Sequence, residues 1–193
     1  MRLRFLAGIA LLLVACGGSI PPYDYSREPD PRGQEFVIGP LDVLQVSVWK
    51  NKELSADAAV VRPDGVITLP LIGDVKAAGR TPSSLQKEIV QRLSAYIRPE
   101  ELVVSVAVTQ VNSYHFTVMG AVERGGFFTS RQYVTALEAL ALAGGPNRFA
   151  GNTLYILRGK PQRKIPIDLK RATSGKHDNE NLVVLAGDVL VMQ

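Results

Sequence analysis

Residue types that could perform catalysis are few and scattered in this chain of 193 residues. Of its two histidines, His115 falls in a predicted strand and His177 in a polar loop at 174–181. Residues 177–180 combine a histidine with two carboxylates, but adjacent residues rarely converge on one metal ion without further ligands. No serine lies in the strained, glycine-flanked turn of a nucleophile elbow. We therefore predict no catalytic residue, no metal site and no cofactor, and we expect 174–181 to be a solvated hairpin loop.

Cys16 is the only cysteine, and its surroundings indicate one specific chemistry. Residues 1–15 carry two arginines and then an apolar run, which is too short to span a bilayer and is typical of a signal peptide. Residues 13–16 read Leu-Val-Ala-Cys, the pattern of a bacterial lipoprotein signal. We expect Cys16 to become the N-terminus, carrying palmitate or similar acyl chains that hold the protein on a membrane. Gly17 favours the outer membrane, since an aspartate there often retains lipoproteins at the inner one.

Two alternatives remain open for this N-terminal stretch. It could be an ordinary signal peptide, or a buried N-terminal strand, with Cys16 incidental in either case. Because the chain has one cysteine, it cannot form an internal disulfide. Residues 16–35 are rich in proline, glycine, tyrosine and charge, and we predict that they form a lipidated flexible tether.

A local excess of basic residues lies between positions 158 and 176, where only Asp168 opposes it. Such an excess can line a path for an acidic polymer or contact anionic lipid head groups, while the solvated outer face of a hairpin is the alternative. The residues singled out as polymer- or head-group-binding are Arg158, Lys160, Arg163, Lys164, Lys170 and Arg171.

The charge of the whole chain is nearly balanced. Its 22 basic and 18 acidic side chains give a formal net charge of +4, and loss of the two arginines in 1–15 leaves about +2. This balance does not predict nucleic-acid binding. Beyond the signal peptide, no stretch approaches the length of a membrane helix.

The elements that must position these residues divide into two units, the first at 36–111. Residues 36–49 open with a Gly-Pro turn and continue as a strand, which the alternation of apolar and polar residues at 44–48 predicts to be half-buried. Residues 66–72 and 75–78 predict a hairpin, and 82–98 predict the longest helix, with Thr81 as its N-cap. Residues 102–111 are long and β-branched, which favours a central strand.

Turn residues separate these elements. Asp42 follows a Gly-Pro turn, and we expect its carboxylate to accept hydrogen bonds from nearby backbone N–H groups; a catalytic role is the alternative. Asp64 and Gly65 follow a proline, so their types favour a tight turn before the hairpin strand. Gly73 marks the turn inside the hairpin. In the second unit, Gly187 and Asp188 mark the turn into the last strand.

The second unit, at 112–193, has several short strands and one helix. Strands are predicted at 115–118, 154–157, 164–169 and 189–192. A helix is predicted at 135–143, because Thr135 and Glu138 form a capping box and Gly144 suits the C-terminal cap. Short strands with one helix packed across them predict a small grasp-like sheet, so we expect an α+β fold overall.

Several of these segments resemble a known family. Residues 37–44 and 48–49 resemble the opening of polysaccharide biosynthesis/export proteins, and 62–81 resembles the central signature of that family. Residues 118–122 and 136–145 are similar to the soluble-ligand-binding β-grasp (SLBB) repeat that follows it, and 187–191 to the closing strand of the repeat. The resemblance implies an export domain at 36–111 and one SLBB-like β-grasp domain at 112–193.

The resemblance also implies a function. It points to an outer-membrane-anchored periplasmic component of a capsular or exopolysaccharide export machine, which makes and breaks no covalent bond. It implies a homo-oligomeric ring through which the polysaccharide passes, with an inner-membrane co-polymerase as a partner. Longer family members continue into an amphipathic helix that forms a pore. Since the sequence stops at Gln193, we expect a ring or adaptor beneath a separate outer-membrane β-barrel.

Two other classes of function remain as alternatives. A periplasmic glycan-binding β-grasp module that forms no conduit would show a concave, aromatic-lined pocket in the second unit. An enzyme that trims glycans would show two carboxylates facing each other across a cleft at roughly 5–9 Å.

Overall fold

The computed structural model describes residues 22–193. It confirms the predicted α+β class, with helices and sheets in two units that have separate hydrophobic cores. The strands and helices of the first unit are β1 (Val43–Val48), β2 (Ala56–Val60), β3 (Val66–Leu69), β4 (Gly73–Lys76), α1 (Pro82–Leu93) and β5 (Val104–Gln110). Those of the second unit are β6 (His115–Gly120), β7 (Gly126–Thr129), α2 (Ala136–Leu142), β8 (Thr153–Arg158), β9 (Arg163–Asp168), α3 (Leu169–Ala172) and β10 (Val189–Met192).

The first unit has a three-stranded antiparallel sheet, ordered β2-β1-β5, and a separate β3–β4 hairpin. The alternation of β1 is confirmed, because Leu44, Val46 and Val48 are buried whereas the residues between them are exposed. The same core receives the buried face of α1, formed by Leu85, Ile89 and Leu93. One apolar face of β1 and one of α1 thus define the core of this unit.

Two predictions for this unit were wrong, and one strand was not predicted. The helix ends at Leu93 rather than at residue 98. Directly after Leu93, the Ser94 hydroxyl donates to the carbonyl oxygen of Gln91 and the chain tightens into a turn. The strand β5 lies at the edge of the sheet, and β1 is central. Strand β1 is central because β2 lies on its other side. The sequence did not predict β2, because the run Ala-Asp-Ala-Ala-Val has low strand propensity.

The second unit is a five-stranded mixed sheet in the order β7-β6-β10-β8-β9. The central pair β6 and β10 is parallel and the other neighbours are antiparallel. Gly120 ends β6 at φ +91°, where a Cβ would collide with the backbone oxygen of Met192. A glycine is therefore required at this end of the parallel pair.

The helix α2 packs across one face of this sheet and begins as predicted. The hydroxyl of Thr135 accepts a hydrogen bond from the Glu138 N–H, and the Glu138 carboxylate accepts one from the Thr135 N–H. This reciprocal pair is the capping box. Ala136, Ala139 and Leu140 then enter the core of the second unit.

The segment before the first unit does not behave as the flexible tether predicted for 16–35. Tyr23 and Tyr25 pack against the core of the second unit, with ring centroids 5.2 Å apart. The Tyr25 hydroxyl donates to the carbonyl oxygen of Pro166, at 2.7 Å. The tether prediction is therefore wrong for 23–28. The signal peptide, Cys16 and the remainder up to residue 21 lie outside the described residues.

Candidate functional site

Asp42 is fully buried and ties together the loop before β1 and the link between the units. Its Oδ1 accepts hydrogen bonds from the backbone N–H groups of Asn112 and Ser113, both at 2.8 Å. Its Oδ2 accepts from the N–H of Gly39 and from the Ser113 hydroxyl, also at 2.8 Å. Asp42 thus closes its own turn, as predicted, and also holds the chain where it leaves β5 for β6.

Of the other predicted turn residues, Gly65 and Gly187 lie in turns, whereas Gly73 is the first residue of β4; the hairpin turns at residues 70–72, so the turn prediction is wrong for Gly73. Gly65, Gly73 and Gly187 have φ values of +82°, +65° and +82°, which only glycine adopts at little cost. The Asp64 carboxylate pairs with Arg62 at the base of the hairpin, at 2.6 Å. Both side chains are about half exposed, so this ion pair contributes at most about 1 kcal/mol.

Arg158 lies at the centre of a buried ion-pair cluster in the second unit. Its side chain is 4% exposed, and its Nη2 lies 2.6 Å from the Oδ2 of Asp188. Its Nε lies 3.1 Å from both Asp188 oxygens, and Nη2 also donates to the carbonyl oxygen of Val183, at 2.7 Å. Burial alone would lower the pKa of Arg158, but the paired carboxylates outweigh it and raise the pKa.

Glu28 completes the cluster from the N-terminal segment. Its side chain has no exposed surface, and its Oε2 lies 2.9 Å from Nη1 of Arg158. Its Oε1 accepts from the Tyr23 hydroxyl at 2.5 Å and pairs with Nη1 of Arg163 at 2.7 Å. Burial would raise the pKa of Glu28, but these hydrogen bonds favour the carboxylate and bring the pKa below its usual value. The cluster therefore fastens residues 23–28 to the second unit.

The six basic residues predicted to bind polymer or head groups do not form one surface. Arg158 is enclosed by its carboxylate partners, so the prediction is wrong for this residue. Arg171 pairs with the buried carboxylate of Glu180, at 2.6 Å, and Arg163 pairs with Glu28. The other three, Lys160, Lys164 and Lys170, are exposed at different places around β9. For these three, binding stays a prediction.

The polar loop at 174–181 is only partly solvated. His177 is exposed as expected, whereas Glu180 is 2% exposed and its Oε2 has no hydrogen-bond partner. Within residues 22–193, no group of three or more histidine, cysteine, aspartate or glutamate side chains could hold a metal ion. The same residues include no helix that is long and apolar enough to cross a membrane.

A cavity of about 320 Å³ lies where the two units meet. Phe36, Tyr114 and Tyr133 contribute to a largely apolar lining that contains no carboxylate. The Tyr114 hydroxyl accepts from the Val134 N–H and donates to the carbonyl oxygen of Val184, so this ring is fixed in place. The pocket expected of a glycan-binding module would lie in the second unit, whereas this cavity lies at the junction and has few polar groups to orient a sugar.

Sequence reasoning missed Glu28 and Tyr23 as partners of the second unit. Glu28 lies 130 residues before Arg158, and no local pattern connects positions so far apart. Two tyrosines in a short proline-rich segment were the available signal, because tyrosine is costly to leave in a solvated tether. The exposed face of the second sheet, which carries Met119 and Phe127, was also missed.

Comparisons with known proteins give one family and several relatives. Residues 30–109 match the family described as polysaccharide biosynthesis/export protein, a match that runs from before β1 almost to the end of β5. The chain is 25% identical over 191 residues to the capsule polysaccharide export protein BexD of Haemophilus influenzae, with 86% of this chain and 46% of BexD covered.

Two further relatives carry related names. The chain is 30% identical to the exopolysaccharide production protein ExoF of Rhizobium meliloti, with 76% of this chain and 34% of ExoF covered. It is 24% identical to the EPS I polysaccharide export outer membrane protein EpsA of Ralstonia nicotianae, with 80% of this chain and 46% of EpsA covered. The chain thus spans less than half the length of each of these curated relatives.

Proposed function

The chain carries a domain of the polysaccharide biosynthesis/export family, and on this basis we propose that it is a non-enzymatic component of a machine that exports capsular polysaccharide or exopolysaccharide. The match over residues 30–109 is the observation that carries this proposal. Three relatives from different bacteria, named for capsule or exopolysaccharide export or production, support it.

The domain organisation proposed is an export domain at 36–111 followed by an SLBB-like β-grasp domain at 112–193. Two separate cores and the strand order of the second sheet support this division. The hydrogen bonds of Asp42 to Asn112 and Ser113 give the two domains a defined connection, which suits a subunit that must repeat in a regular assembly.

The position proposed is the periplasmic face of the outer membrane, with the protein held by acyl chains on Cys16. The lipoprotein pattern at 13–16 supports the anchor, and the printed name of EpsA supports an outer-membrane location. Residues 23–28 are fastened to the second unit, and an extended chain spans about 3.5 Å per residue. The seven residue steps from Cys16 to Tyr23 therefore hold the second unit within roughly 25 Å of the lipid surface.

The mechanism proposed is passage without covalent change. Copies of the chain assemble head to tail into a closed ring, and the polysaccharide crosses the opening between an inner-membrane co-polymerase and a separate outer-membrane barrel. The rotation that relates neighbouring copies must close into a ring, because a head-to-tail contact whose rotation does not close produces filaments.

Deletion of the gene in its native host, with the polymer then located by cell fractionation, tests this proposal. We expect synthesis to continue and the product to accumulate in the periplasm, and we expect the wild-type gene in trans to restore surface polymer. Unchanged surface polymer, in a strain from which every related export gene has also been removed, would contradict the export role.

A further inference from the structure

An open pocket of about 420 Å³ lies in the first unit, where β1 ends and the chain turns towards β2. Trp49 contributes to its wall and is 64% exposed, and the chain has no other tryptophan. The rest of the lining is polar or charged, apart from Val48. Its polar and charged members are Ser47, Lys50, Lys52, Glu53, Ser55 and Asp57.

The backbone around Trp49 is held in place. The Trp49 N–H donates to the carbonyl oxygen of Val103, at 2.9 Å, and the Trp49 carbonyl oxygen accepts from Nδ2 of Asn51, at 3.1 Å. The Ser55 hydroxyl accepts from the Val48 N–H, at 2.9 Å, and donates to the carbonyl oxygen of Asn51, at 3.1 Å. A ligand would therefore meet a pocket whose backbone is already ordered.

Lys50 follows Trp49 in a conformation that lysine seldom adopts. Its φ is +61°, in the left-handed region, where a residue with a Cβ is strained and a glycine is not. The lysine side chain therefore comes at a cost in stability, and residues held in such conformations concentrate at binding sites.

Charges of both signs line the pocket without pairing. The four charged side chains are Lys50, Lys52, Glu53 and Asp57. Within residues 22–193, none of the four takes part in an ion pair, whereas Arg62 in the same unit pairs with two aspartates. The pocket therefore offers ammonium donors and carboxylate acceptors to a ligand.

This combination of groups suits a sugar. A sugar ring has an apolar face that packs on an aromatic ring, and its hydroxyl groups both donate and accept hydrogen bonds. An ammonium group only donates and a carboxylate only accepts, so a lining with both serves hydroxyl groups well. An anionic ligand would be repelled by Glu53 and Asp57, and a cationic one by Lys50 and Lys52.

A second copy of the chain matches the pocket less well. Tryptophan is enriched in contacts between proteins, but lysine, glutamate, aspartate and serine are depleted there, and six of the eight lining residues are of these four types. Among the exposed apolar side chains of this sheet, Val103 lies beside Trp49. Val60 pairs with Val43 at the opposite end of β1, about 17 Å from the pocket. A second copy would thus have to cover six polar or charged side chains around one aromatic ring.

We propose that this pocket binds a sugar residue of the exported polysaccharide, with the sugar ring on Trp49 and its hydroxyl groups between the lysines and the carboxylates. The inference rests on the export function proposed above and names the surface of the export domain that the polymer contacts. A site that holds one sugar residue at a time binds weakly, which suits a polymer that must move past it.

The fluorescence of Trp49 gives a direct test, because the emission of the chain comes from this tryptophan alone. Oligosaccharides prepared from the polysaccharide of the native host are added to the full chain purified from that host. We expect a saturable change in emission. Phe149→Ala, which removes a ring that is 73% exposed outside the pocket, should show the same change.

Affinity electrophoresis in a native gel that contains the polysaccharide compares the variants. We expect Trp49→Ala to raise the apparent dissociation constant about tenfold, because the sugar ring loses its aromatic contact. Glu53→Gln should raise it about two- to fivefold, because an amide is a weaker acceptor than a carboxylate. The matched controls are Phe149→Ala and Glu100→Gln, which change exposed residues outside the pocket and should leave retardation unchanged.

Three results would overturn the inference. Equal retardation of the Trp49→Ala and Phe149→Ala proteins would show that the pocket makes no contact with the polymer. Emission that changes with protein concentration and not with oligosaccharide would identify the pocket as a contact between copies. Absence of retardation of the wild-type chain would also exclude it. In that case the export role is judged separately, by the location of polymer in the deletion strain.

Discussion

Arg158 connects three segments that are far apart in the sequence. It joins β8 to the turn before β10 through Asp188 and to the N-terminal segment through Glu28. Taking one cation and two carboxylates out of water is costly, and the cost is offset only because nearly every polar atom in the cluster has a partner. The cluster gives the second unit a single arrangement of its N-terminal segment, and this makes the role of Arg158 structural.

Replacement of Arg158 should therefore be strongly destabilising. In Arg158→Met the carboxylates of Glu28 and Asp188 lose their shared cation, and we expect the free energy of unfolding to fall by about 3–5 kcal/mol. Urea unfolding followed by circular dichroism measures this. The matched control is Lys170→Met, an exposed cation of the same segment, which should change stability by no more than about 0.5 kcal/mol. Equal stability of the two variants would contradict the buried cluster.

Glu28 predicts a pH dependence of defined sign. Its folded pKa lies below its usual value of 4.5, so its contribution to stability is complete above that value. The contribution is lost as the pH falls through the lowered folded pKa. We expect the difference in unfolding free energy between the wild type and Glu28→Gln to be constant from pH 7 to 5 and to shrink at more acidic pH.

The control for this series is an exposed glutamate in the first unit. Glu100→Gln should have little effect on stability across the same range, because Glu100 is exposed. A difference for Glu28→Gln that grew on acidification would show that the carboxylate is not the form held in the cluster.

At the scale of elements, the connection between β5 and β6 depends on one side chain. Asp42→Ala removes the acceptor for the N–H groups of Gly39, Asn112 and Ser113. Each buried donor left unpaired costs about 1–3 kcal/mol, so we expect a loss of at least that size and faster proteolysis near residue 112. Asp57→Ala, on the exposed face of β2, is the control and should change neither. Unaltered cleavage in Asp42→Ala would contradict the role of this junction.

Elements with a strong local pattern could be predicted from the sequence. Strand β1 alternates between buried and exposed residues, and α2 begins at the capping box of Thr135 and Glu138. Strand β2 could not be predicted, because its alanine-rich run gains its strand conformation from pairing with β1. The central position of β1 follows from that pairing and was missed with it.

The contacts of the candidate site could be predicted from the sequence less completely than the fold. Asp42 sits in a recognisable turn, so its local role was predicted, but its bonds to Asn112 and Ser113 cross 70 residues or more. The basic residues at 158–171 were predicted as one surface because charge was counted along the chain. Their partners Glu28 and Glu180 come from other segments, and only the folded structure brings these carboxylates to them.

At the scale of the whole molecule, the lipid anchor proposed at Cys16 makes a prediction about acylation. Cys16→Ser removes the sulfur that accepts an acyl chain, so we expect labelling with a radioactive fatty acid to be lost. Ser19→Ala is the matched control and should keep the label. A Cys16→Ser protein that still incorporates the fatty acid would contradict the anchor.

The central claim is that polysaccharide passes this protein unchanged. A pulse of labelled sugar in the native host, followed by a chase, measures both the location and the covalent structure of the polymer. In the deletion strain we expect labelled polymer of normal linkage to remain in the periplasm while extracellular label stays low. Normal appearance of extracellular label, or a polymer with altered linkages, would contradict the account.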